Sequence, residues 1–314
     1  MPKLRSGECK YVNGLQVDKE NDDVIYNDEK HLYLDKKTGS KYTSVTTLIH
    51  NYCQPFDEIF WSHYKACEWL VDPEDWKFLK KELLQTKRWK DSYIDEFGID
   101  ENALEVKVLE IKEGYKKGRE EACERGTKIH AIREDMYSQP GSVEIKKYGL
   151  GGSFKTNAGH YKLDCERGVF PEFLISYKFD DYLMISGQVD LICKDGNDIF
   201  IIDYKSNKKI DLKSYYDKSS KQNQKMKFPL NTIDDCNYYH YTLQLSTYAY
   251  LLQKINPKFK IKKLIIHHID HDDNETEYEC PYLKDEVERM LLHYRKENKK
   301  KIMLEKDKPL SWDS

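Results

Sequence analysis

Two neighbouring segments are the most informative part of this chain: Ser186-Gly187-Gln188-Val189-Asp190-Leu191-Ile192 and, after a turn, Ile201-Ile202-Asp203-Tyr204-Lys205-Ser206. Each segment carries one carboxylate among apolar residues, which predicts two strands of a hairpin around the turn at 195–198. Asp203 and Lys205 lie two residues apart and therefore point to the same face of the second strand. Such charged groups cost desolvation free energy unless they have partners. A divalent metal ion shared by Asp190 and Asp203, with Lys205 beside a bound water, would supply those partners.

The composition is that of a globular chain with a polar surface. Its 314 residues are 39% hydrophobic and 34% charged, which suffices for one large domain or two modest ones. No apolar run approaches the roughly 18 residues of a membrane span, and the first residues lack the apolar core of a signal peptide. We therefore expect a cytoplasmic protein with no membrane partner. The net charge of −3 means that binding to a polyanion would depend on local basic patches.

The eight cysteines are scattered, and none forms a CxxC pair. This spacing excludes zinc-finger motifs and clustered iron–sulfur ligands. We interpret the cysteines as buried thiols in a reducing compartment. The chain also lacks a GxxxxGK[ST] phosphate loop, so we expect no fused motor of that type and no use of ATP.

Hydrophobic periodicity and turn signals divide the chain into two regions. Residues 1–120 are predicted to form a β-hairpin over 31–43 and then helices, and residues 121–314 an α/β core. We expect one helix from Asp100 to about Gly118, a second over 125–137, and an exposed loop over 139–168 that is rich in glycine and proline. The core strands are predicted at 173–179, 182–194, 199–204, 261–269 and 278–282, with helices at 238–255 and 285–300.

Two further candidates flank the hairpin. His130 and Glu134 lie four residues apart on one helix face, and His130 could supply a nitrogen ligand that favours Mn²⁺ as well as Mg²⁺. An isolated histidine of this kind is more often a surface residue with an acidic partner. Glu172, just after Pro171, could reach the site as a supporting acid or as a ligand of a second metal, or it could simply be a solvated residue at the start of a strand.

A helix and a loop after the hairpin have features of phosphate or base binding. Gln244 and Tyr248 share one helix face and could hold a phosphate or a base, or they could pack into the core with neighbouring tyrosines. Residues 205–227 contain eight lysines and two aspartates, so this loop could track a phosphate backbone. Its lysines beyond Lys205 are Lys208, Lys209, Lys213, Lys218, Lys221, Lys225 and Lys227.

The order of these motifs resembles that of the PD-(D/E)XK nuclease superfamily, and within it the RecB-type exonucleases. The elements that carry the resemblance are His130, Glu172, Gly187-x-x-Asp190, Asp203-x-Lys205 and Gln244-x-x-x-Tyr248. They are especially similar to stand-alone phage exonucleases and to the mitochondrial genome maintenance exonuclease, over about residues 120–270. The segment His31–Ile49 also resembles the start of such phage enzymes. The resemblance implies an α/β fold with a restriction-endonuclease-like core, a central mixed β-sheet of four to five strands flanked by helices, and a mainly helical N-terminal region that caps or arches over the site.

The resemblance also implies roles for individual residues. The ligands that it implies for Mg²⁺ or Mn²⁺ are His130, Asp190, Asp203 and the backbone carbonyl of Tyr204. It implies Lys205 as the catalytic lysine, with Gln244 and Tyr248 positioning the substrate. Glu134 and Glu172, from their positions in the sequence, are candidate supporting acids behind the ligands. Iron–sulfur members carry three clustered cysteines near their end, whereas this chain has only Cys280 there, so we expect no cluster.

We therefore expect a metal-dependent DNA exonuclease that acts on single- or double-stranded ends, in the cytoplasm of a bacterium or of a phage-infected host cell. A single-strand-binding or recombination protein would be a compatible partner, and DNA recombination or repair a compatible role. Two alternatives stay open: a structure- or site-specific endonuclease on the same fold, and a non-catalytic DNA-end-binding or recombination module. The intact Asp190, Asp203 and Lys205 argue against the non-catalytic module.

The N-terminal helices contain aromatic residues that could stack on unpaired bases and so favour single strands. At helical spacing, aromatic side chains more often pack into a core. The residues concerned are Trp61, Tyr64, Trp69, Trp76 and Trp89.

Overall fold

The computed structural model describes residues 10–12, 15–217 and 221–306. The chain forms two compact units. The first unit comprises Met1–Cys53, Lys128–Tyr216 and Asn223–Ser314, and the second comprises Gln54–Thr127 and Asp217–Gln222. The predicted functional division after residue 120, with a helical cap over the site, stays a prediction.

The elements of the described chain are numbered in order. The strands are β1 (Tyr11–Val12), β2 (Leu15–Gln16), β3 (Lys19–Glu20), β4 (Val24–Asn27), β5 (Leu32–Asp35), β6 (Lys41–Ser44), β7 (Ser142–Glu144), β8 (Ser153–Thr156), β9 (Arg167–Asp180), β10 (Leu183–Asp195), β11 (Asp198–Lys205), β12 (Tyr216–Asp217), β13 (Gln222–Asn223), β14 (Lys260–Ile269) and β15 (Glu275–Cys280). The helices are α1 (Val45–His50), α2 (Glu58–Leu70), α3 (Pro73–Thr86), α4 (Ser92–Glu96), α5 (Glu101–Ser138), α6 (Asn237–Ile255) and α7 (Lys284–Lys306).

The second unit is built from α2, α3, α4 and the first part of α5. Side-chain caps fix two of the helix starts: Asp57 accepts from the backbone N–H of Phe60, and Asp72 accepts from that of Glu74 ahead of α3, which begins with Pro73. Four of the five aromatic residues proposed for base stacking are partly buried against the core of this unit, namely Trp61, Tyr64, Trp76 and Trp89. Trp69 is 77% exposed, so of the five it is the one left open to a ligand.

Helix α5 is continuous over 38 residues, and the prediction of two separate helices is wrong. Gly114 and Gly118 lie inside it on open surface, where an added Cβ would meet nothing within 4 Å. Each glycine costs about 1 kcal/mol of helix stability relative to alanine. That cost is too small to end a helix whose other residues favour it.

The first unit is centred on a mixed sheet. Strands β9, β10 and β11 form an antiparallel meander, β14 runs parallel to β11, and β15 runs antiparallel to β14. The predicted mixed sheet with flanking helices is therefore confirmed, and its five expected strands correspond to these. Six short strands extend it, since β6 pairs in parallel with β10, β3–β5 continue from β6, and β8 and β7 follow β9.

The segment 139–168 is not the exposed loop that its glycines and prolines predict. It contains β7 and β8, and it buries Ile145, Tyr148, Leu150 and Phe154. These four apolar residues cover one face of the sheet together with Ile129 of α5.

Alternation along β11 separates the two faces of the sheet. Ile199 and Ile201 pack into the core on the side of α6, whereas Phe200, Ile202 and Tyr204 pack on the side of α5. By the same alternation, Asp203 faces α6. No helix within the described residues combines the length and the apolar character needed to cross a membrane.

Candidate active site

The two carboxylates of the predicted hairpin lie side by side on β10 and β11. The strands pair up to Leu191 and Ile202, and Asp190 and Asp203 are the next residues on each strand. The backbone N–H of Tyr204 donates to Asp190 Oδ2 at 2.7 Å. This bond fixes the Asp190 carboxylate against the neighbouring strand.

Asp203 and Lys205 form a buried ion pair, as their spacing predicts. Asp203 Oδ2 lies 2.6 Å from Lys205 Nζ, and the Asp203 side chain is 1% exposed. Lys205 Nζ also lies 4.8 Å from the centre of the Tyr241 ring, a cation–π contact. Burial alone would lower the pKa of Lys205, but Asp203 and Asp190 outweigh it and raise the pKa above its usual value. Lys205 therefore keeps its proton.

Helix α6 brings Gln244 and Tyr248 to the same place. Gln244 Nε2 donates to Asp203 Oδ1 at 3.2 Å and to Tyr248 Oη at 3.3 Å. A Cβ on Gly187 would lie 2.8 Å from Tyr248 Cε1, closer than real contacts allow. Glycine at position 187 is therefore what lets the tyrosine pack against β10.

Three potential ligands of a metal ion converge beside Asp190. The ligand atoms of His130, Glu172 and Asp190 all lie within 4.8 Å of one another. His130 Nδ1 lies 3.5 Å from Asp190 Oδ1 and 3.9 Å from Glu172 Oε1. The other ring nitrogen, His130 Nε2, lies 3.1 Å from the carbonyl oxygen of Tyr204, so this carbonyl contacts the histidine on a different side from the two carboxylates.

Glu172 takes a more central position than its sequence context suggests. It lies opposite Asp190, between the pairs Val189–Phe173 and Leu191–Pro171. Its φ of +48° is left-handed, a conformation that costs a non-glycine residue about 1–3 kcal/mol and is most often found at functional sites.

Two side chains hold the Glu172 carboxylate in place. Lys19 Nζ lies 3.4 Å and Gln188 Nε2 lies 3.0 Å from Glu172 Oε2. The carboxylate is thereby oriented with its other oxygen toward His130.

The electrostatics of this cluster favour a cation. Burial raises the pKa of Asp190, and the negative charge of Asp190 raises the pKa of His130. Burial would also raise the pKa of Glu172, but His130 and Lys19 outweigh it and lower that pKa. Protons bound within the cluster and the ammonium group of Lys19 thus compensate the negative charge of the buried carboxylates. Asp203 Oδ2 is buried and, apart from the ion pair with Lys205, has no hydrogen-bond partner among the described residues.

This donor set fits a hard divalent ion. Carboxylate and carbonyl oxygens suit Mg²⁺, and an imidazole nitrogen adds affinity for Mn²⁺. The site therefore has the chemistry of a site for a divalent metal ion.

Glu134 lies outside this cluster. It is half-buried on α5, where burial raises its pKa, and it is not among the three residues whose ligand atoms converge. A histidine and a glutamate four residues apart on a helix share a face, but here only His130 places a ligand atom in the convergent group.

The loop lysines differ in their surroundings. Lys225 pairs with Asp234 at 2.5 Å and Lys209 with Asp211 at 2.7 Å. Lys218 lies outside the described residues. Those with exposed side chains and no acidic partner among the described residues are Lys208, Lys213, Lys221 and Lys227.

Three residues of this site were not predicted in these roles. Gln188 shares a strand face with Asp190, so its position in the motif carried a signal for it. Tyr241 lies on the helix of Gln244, where its spacing equally favours simple core packing. Lys19 lies 153 residues before Glu172, and no local pattern in the sequence links the two.

Comparison with known proteins identifies a family for this arrangement. The model of the PD-(D/E)XK nuclease superfamily matches residues 99–306, well over half of the chain. Among solved structures, the chain is similar to the one described as "Crystal structure of SSO0001", with 17% sequence identity over 76% of this chain and 90% of that chain, at a TM-score of 0.28. No curated protein matches the chain at a significant level.

Proposed function

The chain belongs to the PD-(D/E)XK nuclease superfamily, and we propose that it is a metal-dependent exonuclease that hydrolyses phosphodiester bonds from the ends of DNA. The observation that carries the proposal is the convergence of His130, Glu172 and Asp190 beside the Asp203–Lys205 pair. The choice of exonuclease is supported by the order of the motifs, which resembles that of RecB-type exonucleases.

The residues that would hold Mg²⁺ or Mn²⁺ are His130, Glu172, Asp190, Asp203 and the carbonyl of Tyr204. When bound, such an ion stabilises the charge that develops on a scissile phosphate and lowers the pKa of water. Glu172 is proposed here as a direct ligand, because its carboxylate oxygen belongs to the convergent group.

Lys205 would act on the reacting atoms as a proton-bearing cation. Its ammonium is fixed by Asp203 and by the Tyr241 ring, so it can donate a hydrogen bond to a phosphate oxygen or to the attacking water. Such preorganised donors act where charge develops, in a site of low dielectric.

Gln244 is proposed as a positioning residue. Its amide is buried and donates to Asp203 and Tyr248, so it orients the carboxylate that pairs with Lys205. Contact with the substrate, which the family resemblance implies for Gln244 and Tyr248, would require these hydrogen bonds to rearrange.

The proposal extends to the setting of the reaction. A cytoplasmic location, a role in DNA recombination or repair and a single-strand-binding or recombination protein as partner are all compatible with the motif order. The role and the partner are proposed from that resemblance, and the location is proposed from the composition of the chain.

The test uses linear DNA labelled at the 5′ or the 3′ end, single- or double-stranded, with Mg²⁺ or Mn²⁺. We expect end-dependent shortening by the wild-type protein, a loss of at least about 100-fold in Asp203→Asn, and no cleavage of a covalently closed circle. Asp198→Asn is the matched control, since Asp198 lies on the same strand but its side chain is 38% exposed.

Two outcomes would contradict the proposal. Cutting of the closed circle would identify an endonuclease instead. Binding of DNA without hydrolysis by the wild-type protein, with either metal, would favour the non-catalytic module.

A further inference from the structure

A second cluster of ligand-type side chains lies in the first unit, on elements other than those of the hairpin. Cys53 follows α1, Asp235 lies just before α6, and His240 lies in the first turn of α6. Cys53 Sγ is 3.4 Å from His240 Nε2, which is 2.6 Å from Asp235 Oδ1. The ligand atoms of all three residues lie within 4.8 Å of one another.

The geometry differs from that of a nucleophilic triad. In a triad, the nucleophile and the carboxylate contact opposite nitrogens of the imidazole, so that the ring can pass a proton between them. Here the thiol and the carboxylate both approach Nε2 of His240. The three groups therefore surround one point, as the ligands of a metal ion do.

The Asp235 carboxylate is buried and held from behind. Its side chain is 4% exposed. Gln224 Nε2 donates to Asp235 Oδ2 at 3.3 Å, and the Gln224 carbonyl accepts from the Asp235 N–H at 2.9 Å. A ligand whose second oxygen is fixed by a neighbour is typical of metal sites.

The donor chemistry selects the kind of ion. Sulfur, nitrogen and oxygen donors together suit Zn²⁺, whereas the oxygen-rich site at Asp190 suits harder ions. A thiolate and a carboxylate carry two negative charges, which a divalent cation neutralises. Without a cation, burial and the nearby charge of Asp235 raise the pKa of Cys53 to about 12, so the thiol keeps its proton and donates to the Ile49 carbonyl at 3.5 Å.

We propose that Cys53, Asp235 and His240 form a second metal site, which binds Zn²⁺ or a similar divalent cation with three protein ligands and one position left for water. The ion would replace the contacts that Cys53 and Asp235 now make with His240 Nε2. It would also tie α1 to the start of α6. His240, Gln244 and Tyr248 recur every four residues on one face of α6. An ion bound at His240 would therefore also stabilise the position of Gln244, which donates a hydrogen bond to Asp203.

The experiment is a titration of the full-length protein with Co²⁺ in place of Zn²⁺, followed by absorption spectroscopy. A thiolate ligand gives a near-ultraviolet charge-transfer band that the cysteine-free site at Asp190 cannot give. We expect a saturable band in the wild-type protein and its loss in Cys53→Ser and His240→Ala. Cys123→Ser is the matched control, because Cys123 is an exposed free cysteine and its removal should leave the band unchanged.

A second measurement keeps the inference testable if a ligand variant folds poorly. Zn²⁺ should raise the midpoint of thermal unfolding of the wild-type protein and of Cys123→Ser by more than that of Cys53→Ser, in which only the site at Asp190 remains. Gln224→Ala keeps all three ligands and should weaken Zn²⁺ binding about 10–100-fold, the usual cost of losing a supporting hydrogen bond. Absence of the band in folded wild-type protein, or its persistence in both ligand variants, would overturn the proposal whatever the outcome of the nuclease assay.

Discussion

At the scale of single residues, Glu172 completes the proposed group of metal ligands. Its carboxylate lies with His130 and Asp190 and is held by Lys19 and Gln188. We expect Glu172→Gln to weaken Mg²⁺ or Mn²⁺ binding by at least about 10-fold, because an amide keeps the shape of the side chain but not its charge. Isothermal titration calorimetry of the wild-type protein and the variant measures the difference.

Glu134→Gln is the matched control for this prediction. Glu134 lies on the same helix as His130, but outside the convergent group. Its substitution should leave the metal affinity within experimental error. Equal losses in both variants would mean that the negative charge of the region, rather than ligation by Glu172, governs binding.

Gly187 tests the packing of Tyr248 against β10. A methyl group at position 187 would lie 2.8 Å from Tyr248 Cε1, so the ring must shift and its contact with Gln244 must lengthen. We expect Gly187→Ala to lower the free energy of unfolding by about 1–3 kcal/mol, the usual cost of overpacking, and to reduce nuclease activity. Urea denaturation and the end-label assay measure the two effects.

The control for Gly187 is Gly151→Ala. An added Cβ at Gly151 would meet nothing within 4 Å, so stability and activity should both be retained. If Gly187→Ala behaved in the same way, Tyr248 would not depend on the close approach to β10.

These residues show how far the sequence predicts a site. The pairing of Asp203 with Lys205 follows from a two-residue spacing, which any strand translates into one face. The position of Glu172 beside Asp190 depends on a left-handed backbone conformation. Nothing in the sequence Pro171-Glu172 predicts that conformation. The contact of Cys53 with His240 joins residues 187 positions apart, and no local pattern can predict it.

At the scale of elements, the strands of the core were the most predictable part of the chain. Long runs of apolar residues with turn signals at both ends predict β10, β11 and β14 to within one residue of their observed bounds, whereas β9 begins six residues before its predicted start. The predictions for α5 and for β7–β8 are wrong for the same reason, which is that a glycine does not by itself end a helix or exclude a strand. Exposed glycines are tolerated inside a long helix, and a glycine-rich segment can still bury the apolar side chains between its turns.

Glu275 on β15 ties several elements together, which gives a prediction about stability. Its carboxylate forms an ion pair with Arg133 of α5, and it lies 2.7 Å from Lys147 Nζ and 2.9 Å from His267 Nε2. We expect Glu275→Gln to lower the free energy of unfolding at neutral pH by about 1 kcal/mol, since the side chain is partly exposed and such pairs are screened. Glu277→Gln, on the same strand face and without an ion pair among the described residues, is the control.

The same contacts fix the pH dependence of that effect. The hydrogen bond from Lys147 is the largest cause that lowers the pKa of Glu275, from 4.5 to about 2. A carboxyl group whose pKa is lower in the folded than in the unfolded state stabilises the folded protein at pH values above its pKa in the unfolded chain. For Glu275 this stabilisation is lost as the pH falls from about 4.5 to about 2. Unfolding curves of the wild-type protein and Glu275→Gln should therefore converge over this range. A constant difference down to pH 2 would contradict the ionic origin of the effect.

At the scale of the whole molecule, the charge distribution determines how DNA could be attracted. The net charge is −3, so the protein as a whole does not attract a polyanion, and attraction must come from local patches. The sequence predicted one such patch over residues 205–227. Three of its lysines, Lys205, Lys209 and Lys225, have acidic partners, so fewer charges are available to phosphates than the count of lysines suggests.

The lysines without acidic partners should therefore dominate the salt dependence of DNA binding. We expect Lys208→Ala and Lys213→Ala each to weaken DNA binding and to reduce the magnitude of the slope of log affinity against log salt by about 0.7–0.9. The reason is that fewer counterions are released on binding when the protein makes one phosphate contact less. Lys225→Ala should change the slope less, since Lys225 already pairs with Asp234. Lys296→Ala, an exposed lysine on α7, is the control outside the loop. Fluorescence anisotropy across a salt series measures the slopes, and a slope that none of the loop variants changes would exclude this segment from the DNA-binding surface.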